Sequence, residues 1–260
     1  MKNSSEVKTL FKNIAAEQDG MKDADAQADL DESSEIARMG EVDRFSIEEL
    51  DRLKIISGSM QNSKILNIFR ELRTQLLKKN KKNNKKNFVC MITSLSHGGG
   101  ASYTASNLAS VFALDKAKTS MLIDANLYSP SLDQLIIGDA NIGITDYLSN
   151  TNLNIKDVVY ATGIPRLRVV PIGGNSEGAA EYFSSDKMLH FIDEIRSRYS
   201  DRYIFIDSPP ITESSEARIL AEISDVVILV VPHGRATYDQ VESAIQIIGK
   251  EKLSGLVYNN

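Results

Sequence analysis

The sequence has few of the residues that build covalent cross-links and metal sites. It contains one cysteine, Cys90, and three histidines among 260 residues. A single cysteine permits no internal disulfide and favours a reducing compartment. The histidines and the cysteine do not cluster along the chain, which predicts no zinc site. Cys90 lies in an apolar segment, so we expect a small side chain buried in the core.

Long hydrophobic segments are missing as well. No stretch approaches the roughly 18 apolar residues of a membrane-spanning helix, and the longest run, Val226–Val231, has the length of a buried strand. The first 30 residues carry no apolar core, which predicts no secretory leader. A net charge of −5 predicts no general affinity for nucleic acid. With 42% apolar and 25% charged residues, we expect a soluble globular protein, and the single cysteine favours the reducing cytoplasm as its location.

Three regions differ in composition along the chain. Residues 1–45 are polar and partly acidic, and we expect a disordered arm with at most a short helix near residues 7–16. Residues 46–87 begin with a helix-start pattern at Ser46 and then combine an amphipathic helix with a linker rich in lysine and asparagine. Apolar residues recur along that helix at the spacing of one face: Ile65, Leu66, Phe69, Leu72 and Leu76.

The other side of this helix and the linker that follows it are basic. Arg70 and Arg73 are predicted to project away from the apolar face. The linker, from Lys78 to Asn87, carries six lysines and no apolar residue, which indicates a solvated connection. The alternative is electrostatic contact with anionic lipid headgroups or with an acidic partner surface.

Residues 88–260 alternate between strand-like apolar runs and helical patterns. The predicted strands cover residues 88–93, 120–124, 167–172, 203–207, 225–231 and 255–258. Continuous apolar runs are typical of parallel strands covered on both faces. Their alternation with helices predicts an α/β fold with a doubly wound, mostly parallel sheet. Ligands of such sheets bind at the carboxyl ends of the strands.

A phosphate-binding loop is indicated between the first of these strands and a helix. Such loops read Gly-x-x-x-x-Gly-Lys-Ser/Thr, in which backbone N–H groups and the lysine hold phosphate and the hydroxyl holds Mg²⁺. In residues 95–102, Gly100 and Ser102 match the second glycine and the hydroxyl. Leu95 replaces the first glycine, and Ala101 replaces the lysine.

The loop keeps other features of an anion site. Gly98, Gly99 and Gly100 permit a close backbone approach and a nest of N–H groups. The helix predicted to begin near Ala101 adds the positive potential of its N-terminus. We therefore predict phosphate binding on this backbone. His97, within the loop, is interpreted as a turn residue, with a phosphate contact as the alternative.

Two aspartates each stand at the end of a predicted strand. Asp124 ends the run MLID, and Asp207 ends the run YIFID just before two prolines. Each alone is interpreted as a strand-terminal cap, but two of them after a phosphate loop favour a joint site. Together with Ser102 they are predicted to bind Mg²⁺ and, in an active enzyme, to serve as the catalytic residues.

These motifs resemble those of one family. The segment GGGASYTASNLA is similar to GEGKSTxAxNLA of the bacterial tyrosine kinases of capsule and exopolysaccharide synthesis. That family's motifs DxDxRxP and IDxPP correspond to Asp124–Pro130 and Ile206–Pro210. The resemblance spans residues of about 62–260, and its wider relatives are the cell-division-site and plasmid-partition ATPases. It implies a P-loop NTPase fold that binds ATP or ADP with Mg²⁺, and Asn259 falls where related ATPases contact the base.

The resemblance also implies partners and a location. Family members work with a membrane-anchored chain-length or export protein, so we expect a peripheral position at the inner face of the membrane. Their helix motif Glu-x-x-Arg-x-x-Arg, which joins subunits, becomes Asn67, Arg70 and Arg73 here. A homo-oligomer is therefore an open expectation. The nine tyrosines are scattered, whereas family members carry a C-terminal tyrosine cluster that is autophosphorylated.

Several departures concern the site itself. Ala101 removes the phosphate lysine, and Ser96 stands where partition ATPases carry a second one. Tyr103 replaces a threonine, and Asn126 and Tyr128 replace the second aspartate and the arginine of DxDxRxP. Three hypotheses follow. The chain is a catalytically impaired component of polysaccharide export, an active ATPase or tyrosine autokinase with a rearranged site, or a partition-type ATPase that positions cargo.

Overall fold

The computed structural model describes residues 44–57, 63–82, 87–174, 178–198 and 201–260. Most of the predicted N-terminal arm, with its helix near residues 7–16, lies outside this range. Within it, seven strands form one sheet in the order β3-β4-β2-β5-β1-β6-β7. All neighbouring strands are parallel except β3 and β4. The strands are β1 (Val89–Ser94), β2 (Thr119–Asp124), β3 (Tyr160–Ala161), β4 (Leu167–Val170), β5 (Arg202–Asp207), β6 (Val226–Pro232) and β7 (Leu253–Asn259).

The predicted α/β fold with a mostly parallel sheet is confirmed. Each of the six predicted strands is present, with ends that differ by at most two residues. The two-residue strand β3 was not predicted, because so short a segment carries no apolar run. Helices connect the strands and cover the sheet: α1 (Ile47–Arg52), α2 (Lys64–Lys82), α3 (Ala101–Ala113), α4 (Ile144–Ser149), α5 (Ala179–Phe183), α6 (Asp186–Arg198), α7 (Ser215–Ile223) and α8 (Tyr238–Ile248).

Two apolar layers bury the two faces of the sheet. Side chains along β1 alternate between them, so Cys90 and Ile92 join one layer and Met91 the other. The layer that contains Cys90 is completed by α2 and α3, and the opposite layer by α4 to α8. Cys90 is fully buried, as predicted, and burial raises the pKa of its thiol. No helix in the described segments is long and apolar enough to cross a membrane.

Helix α2 differs from its prediction at three points. It continues through Lys82, past the predicted start of the linker at Lys78, and the Lys79 ammonium donates to the Leu253 carbonyl at 3.0 Å. Arg73 does not project away, because its guanidinium reaches over α3 and donates to the Val111 carbonyl at 2.8 Å. Ile65 was assigned to the buried face, but it is 48% exposed.

The segment before α2 is tied to the helix that follows the phosphate loop. Helix α1 begins at the predicted Ser46, whose hydroxyl and the Glu49 carboxylate form a reciprocal cap. Downstream, the buried Asn107 of α3 accepts from the Ile56 N–H at 2.7 Å and donates to the Lys54 carbonyl at 3.1 Å. One amide side chain thus satisfies two backbone groups of a distant segment.

We expect Asn107→Ala to lower the free energy of unfolding by about 2–4 kcal/mol, because it leaves backbone groups of the segment 44–57 without partners in a buried position. Ser110→Ala in the same helix is the matched control. Its hydroxyl bonds only to the Ser106 carbonyl one turn earlier, and its loss should cost less than about 1 kcal/mol. Urea unfolding followed by circular dichroism measures both. Equal losses in the two variants would contradict the anchoring role of Asn107.

Candidate phosphate and metal site

The predicted site residues meet at the carboxyl ends of three adjacent strands. Strand β5 lies between β2 and β1, so Asp207 at its end is flanked by Asp124 and by the loop that leaves β1. Asp124 and Asp207 are register partners across the β2–β5 pair. The chain therefore brings together two acids that are 83 positions apart, beside the glycine-rich bend.

Each glycine of the bend meets a different requirement. Gly98 and Gly100 have φ values of +68° and +95°, a left-handed conformation that favours glycine. A Cβ on Gly99 would lie 2.7 Å from the Cβ of Ser94, and a Cβ on Gly100 would collide with the Asn259 amide. Side chains at these two positions therefore have no space, and the bend is set by its glycines.

Helix α3 begins directly after the bend, at Ala101 as predicted. Its N-cap, Gly100, supplies no side-chain hydrogen bond, so the first N–H groups of the helix remain available to an anion. They border a pocket of about 330 Å³. Among the described residues, its lining comes from the bend, the helix start and the loops after β2 and β5: Ser94, His97, Gly98, Gly99, Gly100, Ala101, Ser102, Tyr103, Asn126, Ser129, Ser131, Ser208 and Pro210.

Asp124 organises the loop after β2. Its Oδ1 accepts from the Asn126 N–H at 3.0 Å, and its Oδ2 accepts from the N–H groups of Ser131 and Leu132 at 3.1 and 3.2 Å. Burial raises the pKa of Asp124 to about 6, and these three donors oppose the rise. At neutral pH the carboxylate is ionised and holds the loop closed around itself.

Asp207 is fully buried and differs from its neighbour in having no donors. Neither of its oxygens has a hydrogen-bond partner among the described residues. Burial raises its pKa well above the usual range, and the adjacent Asp124 raises it further. The nearby Ser102 hydroxyl opposes this rise, although it does not reach a hydrogen bond of normal geometry. Asp207 therefore keeps its proton to a higher pH than an ordinary aspartate does.

This arrangement fits a divalent cation. Two carboxylates and a hydroxyl are the hard oxygen donors that Mg²⁺ prefers, and a cation would satisfy the unpartnered oxygens of Asp207. The pocket beside them, bordered by the glycine bend and the start of α3, has room for phosphate groups and the backbone character of an anion site. It does not match in charge, because the described lining residues include no lysine or arginine.

Other predicted residues lie at the rim. Asn259 ends β7, and its amide donates to the Gly99 carbonyl at 3.1 Å. Tyr103 lies half-buried on α3 and separates the phosphate pocket from a wider groove of about 1360 Å³ between α2 and β7. That groove also borders Asn259, so the predicted base contact and the phosphate bend are adjacent.

Asn126 and Tyr128, which replace the charged residues of the motif DxDxRxP, have different surroundings. Asn126 is buried and its side-chain oxygen has no partner among the described residues. Tyr128 is 59% exposed and packs its ring edge-on against His97, with 5.7 Å between ring centroids. His97 itself lies 3.4 Å from the Glu213 carboxylate. His97 thus occupies the mouth of the pocket beside an acid.

Sequence reasoning missed one basic residue at the bend. Arg235, in the loop after β6, donates from Nη2 to the Gly98 carbonyl at 3.1 Å. The contact could not be predicted from sequence spacing, because Arg235 and Gly98 are 137 positions apart. The available signal was its place just beyond the carboxyl end of a predicted strand, the edge at which such sheets bind ligands.

Several known proteins similar to this chain are named tyrosine-protein kinases. No model of a protein family matches the sequence. The tyrosine-protein kinase CpsD of Streptococcus agalactiae serotype III is 31% identical over 214 residues, which cover 81% of this chain and 89% of CpsD. The tyrosine-protein kinase YwqD of Bacillus subtilis is 34% identical over 171 residues, which cover 65% of this chain and 70% of YwqD.

A solved structure agrees with these relatives in fold. The chimerical protein CapA2B2 superposes with a TM-score of 0.70 at 23% identity, covering 83% of this chain and 91% of that one. At that identity the match concerns the arrangement of strands and helices alone.

We expect Asp207→Asn to stabilise the ligand-free protein, and increasingly so between pH 5 and pH 8. The unfolded chain releases the Asp207 proton at a lower pH than the fold does, so the wild type loses stability as pH rises from the unfolded pKa towards the folded one. The asparagine amide has no such proton to release, so the variant avoids that loss. Each kcal/mol gained in the free energy of unfolding corresponds to roughly 2–4 °C in melting temperature. Thermal melts at the two pH values measure the difference.

The matched control for this measurement is Asp193→Asn, at an exposed aspartate on α6. Its melting temperature should follow the wild type at both pH values. If the advantage of Asp207→Asn were the same at pH 5 and pH 8, the proton on the buried acid would not be the cause.

Proposed function

Because the chain belongs to the bacterial tyrosine-kinase family, we propose that it is a nucleotide-binding member whose phosphate anchor and catalysis are weakened. In this proposal it supports a membrane-anchored chain-length or export protein in capsule or exopolysaccharide synthesis. The observation that carries the proposal is Ala101, which stands at the position of the phosphate lysine on a loop that keeps its second glycine, its hydroxyl and its helix start. A phosphate loop that keeps its backbone geometry but lacks its lysine is better suited to binding a nucleotide than to turning it over.

The proposed ligand is ATP or ADP with Mg²⁺. Ser102, Asp124 and Asp207 would hold the metal, which would supply charge neutralisation for the phosphates. The bend from Gly98 to Gly100 and the start of α3 would bind the phosphates through their N–H groups, except that of Gly99, which donates to the Ser96 carbonyl at 3.1 Å. The base would enter the groove beside Tyr103 and Asn259. The unpartnered oxygens of Asp207 and the uncapped helix start support this arrangement.

Energetics explain why binding survives better than catalysis. A hydrogen bond to a charged group contributes about 1.5–3 kcal/mol, so the lost lysine weakens binding by roughly 10- to 150-fold. The remaining contacts to backbone, hydroxyl and metal still favour the complex. Phosphoryl transfer loses more, because the lysine also stabilises charge that develops in the transition state.

We further propose that α2 contributes to docking at the inner face of the membrane or to assembly with other copies. Ile65 and Ile68 expose 48% and 55% of their surface on this helix, and the lysines at its C-terminal end add positive charge. An exposed apolar patch beside a basic segment suits a membrane-anchored partner near anionic lipid.

The second candidate is an active ATPase or tyrosine autokinase. The intact pair Asp124 and Asp207 favours it, because a protein that had lost all metal chemistry would have no need of two adjacent buried acids. This candidate requires Mg²⁺-dependent ATP turnover that Asp207→Ala abolishes. We expect neither turnover nor phosphotyrosine on the purified wild type, as measured by phosphate release and mass spectrometry. Either signal would overturn the weakened-catalysis proposal.

We expect Ala101→Lys to tighten MgATP binding by roughly 10- to 150-fold, because it returns a charged hydrogen bond to the phosphate. Ala101→Met, which adds similar bulk without charge, is the control and should not tighten binding. Isothermal titration with ATP and ADP, with and without Mg²⁺, gives the dissociation constants. Wild-type affinity equal to that of Ala101→Lys would show that the phosphate anchor has not been weakened.

A further inference from the structure

The loop after β6 places an arginine on the phosphate-binding bend. Arg235 Nη2 donates to the Gly98 carbonyl at 3.1 Å, although the two residues are 137 positions apart. Residues 95–102 contain no lysine or arginine of their own. Arg235 thus brings a permanent positive charge to a bend whose sequence supplies none.

The fold fixes where Arg235 leaves the sheet. Strands β6 and β7 pair in parallel up to Pro232 and Asn259, and the His233 N–H donates to the Asn259 carbonyl at 2.8 Å. Gly234 then adopts a φ of +68°, which turns the chain sharply. Arg235 therefore starts from a turn anchored at the sheet edge, and its position does not depend on a long mobile loop.

Two side chains near the ends of β6 and β7 donate hydrogen bonds to consecutive carbonyls of the bend. Arg235 holds Gly98, and the Asn259 amide holds Gly99 at 3.1 Å. A trans peptide directs its N–H opposite to its carbonyl, so the Asn259 contact turns the Gly100 N–H away from β7. The arginine therefore lies against a bend whose N–H direction is already set.

The present contact of Arg235 is easily exchanged. Arg235 and Gly98 are both exposed, and a hydrogen bond to a neutral carbonyl in water contributes little. A guanidinium has five N–H donors in a planar fork that matches phosphate oxygens. Arg235 is not among the described residues that line the pocket, so it would turn from the Gly98 carbonyl to reach a phosphate there.

We infer that Arg235 is the cationic anchor of the polyphosphate in this protein, supplied from the β6–α8 connection in place of the loop lysine. The inference rests on the proposed nucleotide site. It assigns the charge that Ala101 lacks to a residue of the same chain, and it explains how a bend without a lysine can keep a triphosphate. Arg235 acts in this assignment as a binding residue.

The test compares MgATP and magnesium tripolyphosphate by isothermal titration of the full chain. Arg235→Gln should weaken the binding of both ligands by about tenfold or more. Arg235→Lys should bind them with an affinity within about threefold of the wild type, because lysine keeps the positive charge although it lacks the planar fork. The loss should shrink as sodium chloride rises, as expected for an ionic contact. Melting temperatures without ligand should be equal.

Arg218→Gln is the matched control. Arg218 is also exposed and donates to a loop carbonyl, that of Thr212 at 3.4 Å, and among the described residues no hydrogen bond joins it to the bend. Its loss should leave both affinities unchanged. In the Ala101→Lys background, Arg235→Gln should cost less than about threefold, because the restored lysine supplies the charge.

The outcomes separate this inference from the proposed function. Wild-type binding of both ligands that Arg235→Gln leaves unchanged would overturn the anchor role and keep the nucleotide site. A loss that persists unchanged at high salt, or that accompanies a lower melting temperature, would assign Arg235 to loop structure and overturn the inference. Absence of wild-type binding at millimolar MgATP would overturn both.

Discussion

Two carboxylates buried side by side are the constraint around which the site is built. Parallel pairing of β2 with β5 fixes Asp124 opposite Asp207, and neither can move without breaking the centre of the sheet. Burial and mutual repulsion disfavour two charges in this position. The two acids differ in their surroundings, because Asp124 receives three backbone donors while neither oxygen of Asp207 has a hydrogen-bond partner in the part of the chain that the structure describes. The second acid therefore keeps its proton to a higher pH than an ordinary aspartate, and a metal ion bound there would displace that proton.

The glycine bend obeys a different constraint, which is steric. Its conformation requires positive φ at two positions and leaves no room for side chains at Gly99 and Gly100. Neighbouring strand ends then fix its carbonyls through Asn259 and Arg235. Behind it, α3 is anchored through Asn107 to the segment before α2. The phosphate surface thus depends on elements from both ends of the described chain.

Membership of the tyrosine-kinase family and the loss of the loop lysine are compatible in this geometry. The features that bind phosphate through backbone atoms are retained, since they are inseparable from the strand–bend–helix junction. The lysine contributes charge without shaping the bend, so Ala101 can replace it while the helix start and the pocket keep their form.

Several expectations failed where tertiary contacts outweighed local pattern. Lysine-rich composition predicted a linker from Lys78, yet α2 continues to Lys82, where Lys79 finds carbonyls at the start of β7. Arg73 was assigned to a free face, but it meets a carbonyl of α3. Long basic side chains reach partners that spacing along one helix cannot reveal.

The sequence by itself determined the α/β fold, the six long strands, the bend with its helix start at Ala101, and the two strand-terminal acids. Each of these follows from local physics: apolar runs, glycine freedom and helix capping act over a few residues. Only the tertiary structure decided that Asp207 lacks donors while Asp124 has three, and that Arg235 lies against Gly98. Burial, pKa and charge at a site depend on which distant segments the sheet order makes neighbours, and that order is a property of the whole chain.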